Sequence, residues 1–292
     1  MEMKKSVLTG TCLLIAVVAW GCASETTKSE AKPADSKAKA DEILTKMTEK
    51  FKAVPAFSFT SAESADRRKR GGEMVKMNVN RSVTIKSPDR MYFKATGDRN
   101  LEAYYDGKSM TLVSHKEKVW GKLPAPPTVG ETIDKIRDFY GMPLPVADLL
   151  GFDAKGMLRN PANTGGIQKT ETIGGVEYNV LAYQNPDVDW QVWVPVSGDP
   201  LPKKFHAKYK TTKGQPESSF EFSDWNLSPQ VSDDTFVAKV PDDYEGIPII
   251  QRASAVIPKI EEDEKNAATS VTANTAAPAD ATKGAPQGGS TK

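Results

Sequence analysis

The chain has 292 residues, with 39 Lys and Arg against 38 Asp and Glu and a formal net charge of +1. That balance argues against a nucleic-acid protein, which carries a basic excess, and two His and two Cys argue against a His/Cys metal centre. The hydrophobic share of 38% is low for a wholly globular chain and predicts that part of it lies outside any core.

Lys4 and Lys5 precede a largely apolar run over 8–20 that is short for a membrane span and ends in small residues, the pattern of a secretory signal. The stretch Val18-Ala19-Trp20-Gly21-Cys22 resembles a bacterial lipobox, which implies cleavage after Gly21 and lipidation of Cys22. Residues 1–21 are then the signal peptide. Their loss removes Glu2, Lys4, Lys5 and Cys12, leaving the mature chain with no formal net charge and no intramolecular disulfide. Ala23 stands where lipoproteins retained in the inner membrane carry Asp, so the expected address is the outer membrane, facing the periplasm.

Residues 22–40 contain no aromatic side chain and no aliphatic larger than Ala after Cys22, and are expected to form a disordered tether. Residues 259–292, rich in Ala, Thr, Pro and Gly, are expected to form a disordered tail. Between them, 41–258 suits one β-rich domain. Ile43, Leu44, Met47, Phe51 and Val54 share one helical face between Asp41 and Pro55, predicting an amphipathic helix over 41–54 packed on a sheet.

Strands follow. Phe57 and Phe59 alternate with polar residues, and Val75, Met77, Val79, Val83 and Ile85 hold a period of two, continued by Met91 and Phe93. Further strand-like runs occupy 101–105, 109–114, 118–123, 168–173, 176–184, 188–194, 203–210 and 218–225. Asp106-Gly107 and Gly174-Gly175 are hairpin signals between them. The spacing predicts an antiparallel barrel or strongly curved sheet. Pro124 to Pro127 interrupt it; Thr128 then caps a helix to about Tyr140, and 143–150 form a second short helix. Such an insert lies across a sheet or plugs a barrel mouth.

Several segments together are similar to a family of predicted periplasmic proteins of unknown function. They include Ser87-Pro88-Asp89-Arg90, Tyr104-Tyr105-Asp106-Gly107-Lys108 and Leu144-Pro145-Val146-Ala147-Asp148-Leu149-Leu150. Pro124-Ala125-Pro126-Pro127-Thr128, Asp187-Val188-Asp189-Trp190-Gln191-Val192-Trp193, Pro200-Leu201-Pro202-Lys203-Lys204 and Ser223-Asp224-Trp225-Asn226-Leu227 complete the set. That family resembles the lipoprotein-carrier superfamily of LolA and LolB. The resemblance implies a mainly β fold with helices: a LolA-like open, incomplete antiparallel β-barrel with an N-terminal helix and a helical insert. It also implies an apolar cavity for acyl chains, and a membrane anchor through lipid, as in LolB.

Chemistry is sparse. His115 lies in a turn-like segment, His206 points away from Phe205 and Tyr209, and no Gly-x-Ser-x-Gly elbow occurs, so nucleophilic catalysis is not expected. Asp187 with Asp189, or Asp148 with Asp224, are the candidate acid pairs; a turn or cap role competes for each. No enzyme activity, cofactor, metal or nucleic-acid partner is expected. Arg67-Arg68-Lys69-Arg70 reads as a solvated hairpin loop, with anionic lipid head groups as the sharper reading.

The expected ligand-cavity residues are Val75, Met77, Val79, Arg81, Val83, Met91, Phe93, Trp190, Phe205, Phe220 and Phe222, each also able to serve as plain core. Arg81 is in phase with an apolar row. Three readings apply, in order: a bulge turns it outward, it pairs with a buried acid, or it meets a ligand head group. Trp190 and Trp193 fall on opposite faces of one strand, one for the core and one for a rim. The expected function is a lipid-anchored periplasmic protein that binds or carries an acyl chain, lipid or lipoprotein. The alternative is a non-catalytic envelope scaffold with a self-filled barrel and a protein partner.

Overall fold

The computed structural model describes residues 33–69, 71–140, 145–152 and 156–249. The signal peptide, Cys22, residues 22–32 of the expected tether and the tail over 259–292 lie outside the described residues.

The chain opens with α1 (Pro33–Ala53). A first antiparallel run follows: β1 (Ala56–Arg68), β2 (Met74–Lys86), β3 (Arg90–Gly97), β4 (Leu101–Tyr105), β5 (Ser109–Ser114) and β6 (Val119–Pro124). The insert supplies α2 (Val129–Tyr140), α3 (Pro145–Leu149) and a 3-10 turn over Met157–Arg159. A second run returns as β7 (Thr164–Ile173), β8 (Val176–Gln184), β9 (Val188–Pro195), β10 (Lys204–Tyr209) and β11 (Glu217–Asn226). A 3-10 turn (Asp233–Phe236) and the two-residue β12 (Glu245–Gly246) close the described chain.

The twelve strands among the described residues form one sheet in the order β12-β6-β5-β4-β3-β2-β1-β11-β10-β9-β8-β7. The two meanders meet where β1 pairs antiparallel with β11, and β12 lies parallel to β6. The end strands β7 and β12 are not neighbours, so the sheet stays open. This is the mainly β, incomplete antiparallel architecture with N-terminal helix and helical insert expected from the sequence.

Both expected hairpins form. Asp106 accepts the main-chain N–H groups of Lys108 and Ser109 at 2.9 and 2.7 Å. Gly174 and Gly175 both have positive φ, at 58° and 82°, which a two-residue hairpin of this twist requires. Of the basic run, Arg67 and Arg68 are not loop residues but the end of β1, Lys69 pairs with Glu73 at 3.2 Å before β2 starts at Met74, and Arg70 lies outside the described residues.

Helix α1 begins eight residues before the expected start. Pro33 occupies its first position, where a missing N–H costs nothing, and the Ala-rich sequence favours helix. The stretch carries no large apolar group until Ile43, so its helicity left no periodic trace. It docks instead through small contacts with β7. Ser36 Oγ donates to Ile167 O at 2.9 Å, and a Cβ on Gly166 would lie 2.8 Å from that Oγ. Asp41 accepts from Tyr183 at 2.6 Å, and the Tyr183 ring stacks on Trp190 at 4.5 Å.

One core holds the helices against one side of the sheet. Ala40, Leu44, Met47 and Phe51 of α1 join Val129, Ile133 and Ile136 of α2 and Ala147 and Leu149 of α3. They share that cluster with Phe57, Phe59, Val83, Ile85, Tyr105, Met110, Leu181 and Val192 from the strands. Each buried Val, Leu, Ile, Met or Phe among them contributes roughly 1.5–3 kcal/mol relative to exposure. Thr128 caps α2 as expected, its Oγ1 accepting the Glu131 N–H at 3.2 Å. The helix-bearing side is the inner face; the other is the outer face.

Candidate ligand-binding face

Alternation along β2 puts Val75, Met77, Val79, Arg81, Val83 and Ile85 on the inner face, and the continuous β1–β2 and β2–β3 registers hold no bulge there. Burial is uneven along this row. Val83 and Ile85, with Met91 from β3, lie in the helix-covered core, and Val79 is buried outside that cluster. Val75 and Met77 remain half-buried, and Met74 at the hairpin end is exposed.

The other expected cavity residues group with the covered part. Trp190, Phe205, Phe220 and Phe222 are buried in the core cluster, and Phe93 packs against it. Phe222 lies 5.9 Å from Phe59 and 6.3 Å from Phe220, ring centre to ring centre. Their surroundings are side chains of the sheet and helices. Trp193 takes the outer face, as the alternation requires, and its indole N–H donates to Glu171 at 3.2 Å.

Arg81 does not turn outward, the first of the three expected readings. It stays in phase and forms an ion pair with Glu63 on β1, the second reading. The Glu63 side chain is only 4% exposed and also binds Arg67 at 3.0 Å. Burial pushes the Arg81 guanidinium down, Glu63 opposes that shift, and Arg99 and Arg67 add like charge. The rings of Phe93 and Phe220 each lie 5.8 Å from the guanidinium carbon. Burial pushes the Tyr209 hydroxyl up, with Arg67, Glu63 and Asp148 acting on it. Among the described residues, Arg81 Nη1 and Ser61 Oγ are buried with no hydrogen-bond partner. An unsatisfied buried donor costs about 1–3 kcal/mol.

Glu63 and Ser61 were not singled out in the sequence. The signal was present: 57, 59, 61, 63 and 65 share one phase of β1, so a carboxylate on that row predicts a cation on a neighbouring strand. Which strand neighbours β1, and at which register, is tertiary information.

The outer face carries two overlapping depressions, of about 560 and 540 Å³, sharing Ala62, Asn80 and Glu221. Across the strands one row reads Trp193, Lys204, Glu221, Ala62, Asn80 and Thr96, with exposed Ala62 as its low point. This trough is open, and polar residues such as Thr60, Asn80, Lys203 and Glu221 alternate in its lining with apolar surface.

A second buried carboxylate sits on the outer side of β4. Glu102 binds the Tyr104 hydroxyl, the Tyr92 hydroxyl at 3.3 Å and Lys94 at 3.1 Å, with His115 Nε2 3.5 Å away. Burial alone would raise its pKa, but the Tyr104 hydroxyl and Lys94 outweigh burial and hold it below the ordinary carboxylate range. Burial, with the Glu102 charge beside it, pushes Tyr92 up to about 12 and Tyr104 upward as well. His115 Nδ1 lies 3.0 Å from the Tyr244 hydroxyl of the strap that pairs with β6. The turn position expected for His115 is where it lies; its partner comes from 129 residues along the chain.

The candidate acid pairs serve structural ends. Asp148 on α3 accepts the Leu158 N–H at 2.8 Å, whereas Asp224, exposed on β11, accepts from Thr60 at 2.5 Å. Asp189 pairs with Lys210 at 2.8 Å, and Asp187 sits in a turn held by Asn185. His206 is on the outer face, 2.9 Å from Ser219 Oγ. Among the described residues no three His, Cys, Asp or Glu side chains gather as a metal site, and no helix is long and apolar enough to cross a membrane.

The model of a family described as predicted periplasmic protein (DUF2092) matches residues 40–250. No curated protein matches the chain. Among solved structures, the LolA superfamily protein NE2245 from Nitrosomonas europaea is 14% identical, over 68% of this chain and 97% of its own, at a TM-score of 0.33. The Mycobacterium tuberculosis lipoprotein LppX is 10% identical, over 67% and 99%, at 0.40. The Pseudomonas aeruginosa MucA/MucB complex matches at 14% identity, over 75% and 67%, at 0.39.

Proposed function

The chain belongs to the family of predicted periplasmic proteins (DUF2092), and from that premise we propose that it binds or carries a hydrophobic ligand while anchored by lipid at Cys22. The ligand class is an acyl chain, lipid or lipoprotein, and Ala23 favours the outer membrane as the anchor's address. One observation carries the reading. Val75 and Met77, at the hairpin end of β2, continue the buried inner row yet stay half-buried. Apolar side chains held in phase on the inner face but left partly uncovered are a surface on which an apolar chain gains by burial.

A second reading, a non-catalytic envelope scaffold with a protein partner, draws support from the other end of the same face. There α1, α2 and α3 fill the space over the sheet with their own side chains.

The test is a native mass spectrum of the Cys22→Ser chain, purified without detergent. A lipid-sized mass increment that organic extraction removes is the expected result. A bare mass, unchanged after incubation with phospholipid and fatty acid, sinks the ligand-binding reading and favours the scaffold. Anchoring is tested apart from it: labelled palmitate enters the wild-type chain and not Cys22→Ser.

A further inference from the structure

The inner face of β1 and β2 holds more positive charge than its own carboxylate balances. Glu63 is shared by Arg81 and Arg67, and Arg99 adds a third guanidinium to the field. The further carboxylates near it are Asp66, which pairs with Lys76, and Asp148 of α3. Arginine stays protonated even where burial disfavours it, so this excess does not titrate away.

Two donors there are unsatisfied together. Ser61 and Arg81 are directly opposed in the β1–β2 register and share the inner face. Ser61 is 4% exposed, and neither its Oγ nor Arg81 Nη1 has a partner among the described residues. Arg81 as a whole keeps 17% of its side chain exposed, between the rings of Phe93 and Phe220. A water oxygen accepting from both donors would satisfy them and leave the charge excess. An anionic oxygen would do both, since a guanidinium and a hydroxyl each donate to carboxylate or phosphate.

We infer that Arg81 and Ser61 seat the anionic head group of an amphiphile whose apolar chain lies along Val79, Met77 and Val75. The inference rests on the ligand-binding reading above and adds the head-group chemistry to it. The geometry fits a long chain: the six residue steps from Arg81 to Val75 span about 20 Å of strand. The anionic group is a fatty-acid carboxylate or a phospholipid phosphate, chemistry that the two donors do not distinguish.

The test pairs ligands that differ only in charge, each titrated into the detergent-free Cys22→Ser chain by calorimetry. Oleate is set against oleyl alcohol, and dioleoyl phosphatidic acid against dioleoylglycerol in short-chain carrier vesicles. The expected result is at least tenfold tighter binding of the anionic member of one pair, and which pair responds names the source. Arg81→Met should bring the anion down to the affinity of its neutral partner. Ser61→Ala should weaken the anion several-fold. Arg81→Lys, which keeps the charge and loses the fork, should fall between. Equal affinity of charged and neutral members in the unsubstituted chain overturns the inference alone. Binding of none of the four sinks the ligand-binding reading itself. If Arg81→Met does not fold, the unsubstituted charged-to-neutral ratio and Ser61→Ala decide.

Discussion

At its helix-covered end the β1–β2 hairpin sets Phe57 and Phe59 beside Val83 and Ile85, and Phe51 of α1 and Phe152 after α3 close over them with ring centres 5.0 and 6.3 Å from Phe57. Toward its turn the same two strands, in the same phase, carry Ala65 and Arg67 beside Met77 and Val75, and the apolar side chains of β2 there stay half-buried. Between the two ends stands the Glu63–Arg81 pair. Identical strand geometry therefore yields a packed core at one end and an uncovered apolar surface at the other. The helices make the covered end, and past the charged pair Val79 and Ala65 are still buried outside the helix-covered cluster before the row opens at Met77 and Val75.

Four substitutions break or sharpen this contrast. Phe57→Ala removes a fully buried ring from the covered end and should cost about 3–5 kcal/mol in denaturant unfolding. Glu63→Gln acts between the two ends. It leaves Arg81 and Arg67 without their shared carboxylate and should cost about 3 kcal/mol, since losing one partner strands buried charge. A loss under about 1 kcal/mol would mean the pair is well solvated.

Glu102 provides a smaller effect away from the inner face. Its folded pKa lies below the unfolded value, so its contribution is present above the ordinary carboxylate pKa of about 4.3 and is lost as pH falls through the folded value. Tyr92 is raised, so its contribution is full below the ordinary phenol value near 10 and is lost as pH rises through about 12. Melting temperature against pH should fall on both limbs, and Glu102→Gln should flatten both. Unchanged limbs in the variant would remove Glu102 as their source.

The smallest change is expected from Met77→Ala at the uncovered end, about 1 kcal/mol or less. A loss matching that of Phe57→Ala would show the turn end to be as packed as the helix end, and the contrast would be gone.

Several features were legible in the residues. Asp106-Gly107 and Gly174-Gly175 make the hairpins they announce, because the backbone conformation of a tight turn is a local property. The alternation of Val75 to Ile85 named the inner face of β2, and opposite phases separated Trp190 from Trp193. Thr128 announced the start of α2.

The early start of α1 was not legible, because a helix that docks through Ser36 and Gly166 needs no apolar stripe there. Nor was the Glu102 cluster, whose members Tyr92, Lys94, Tyr104, His115 and Tyr244 come together only when β3 to β6 and the C-terminal strap are laid side by side. The sequence by itself determined which residues face inward, since side-chain direction in a strand follows from a period of two. Tertiary structure alone decided which inward residues are covered and which acid meets Arg81. Cover depends on where three helices land, and the pairing depends on the register between β1 and β2, neither of which a single strand encodes.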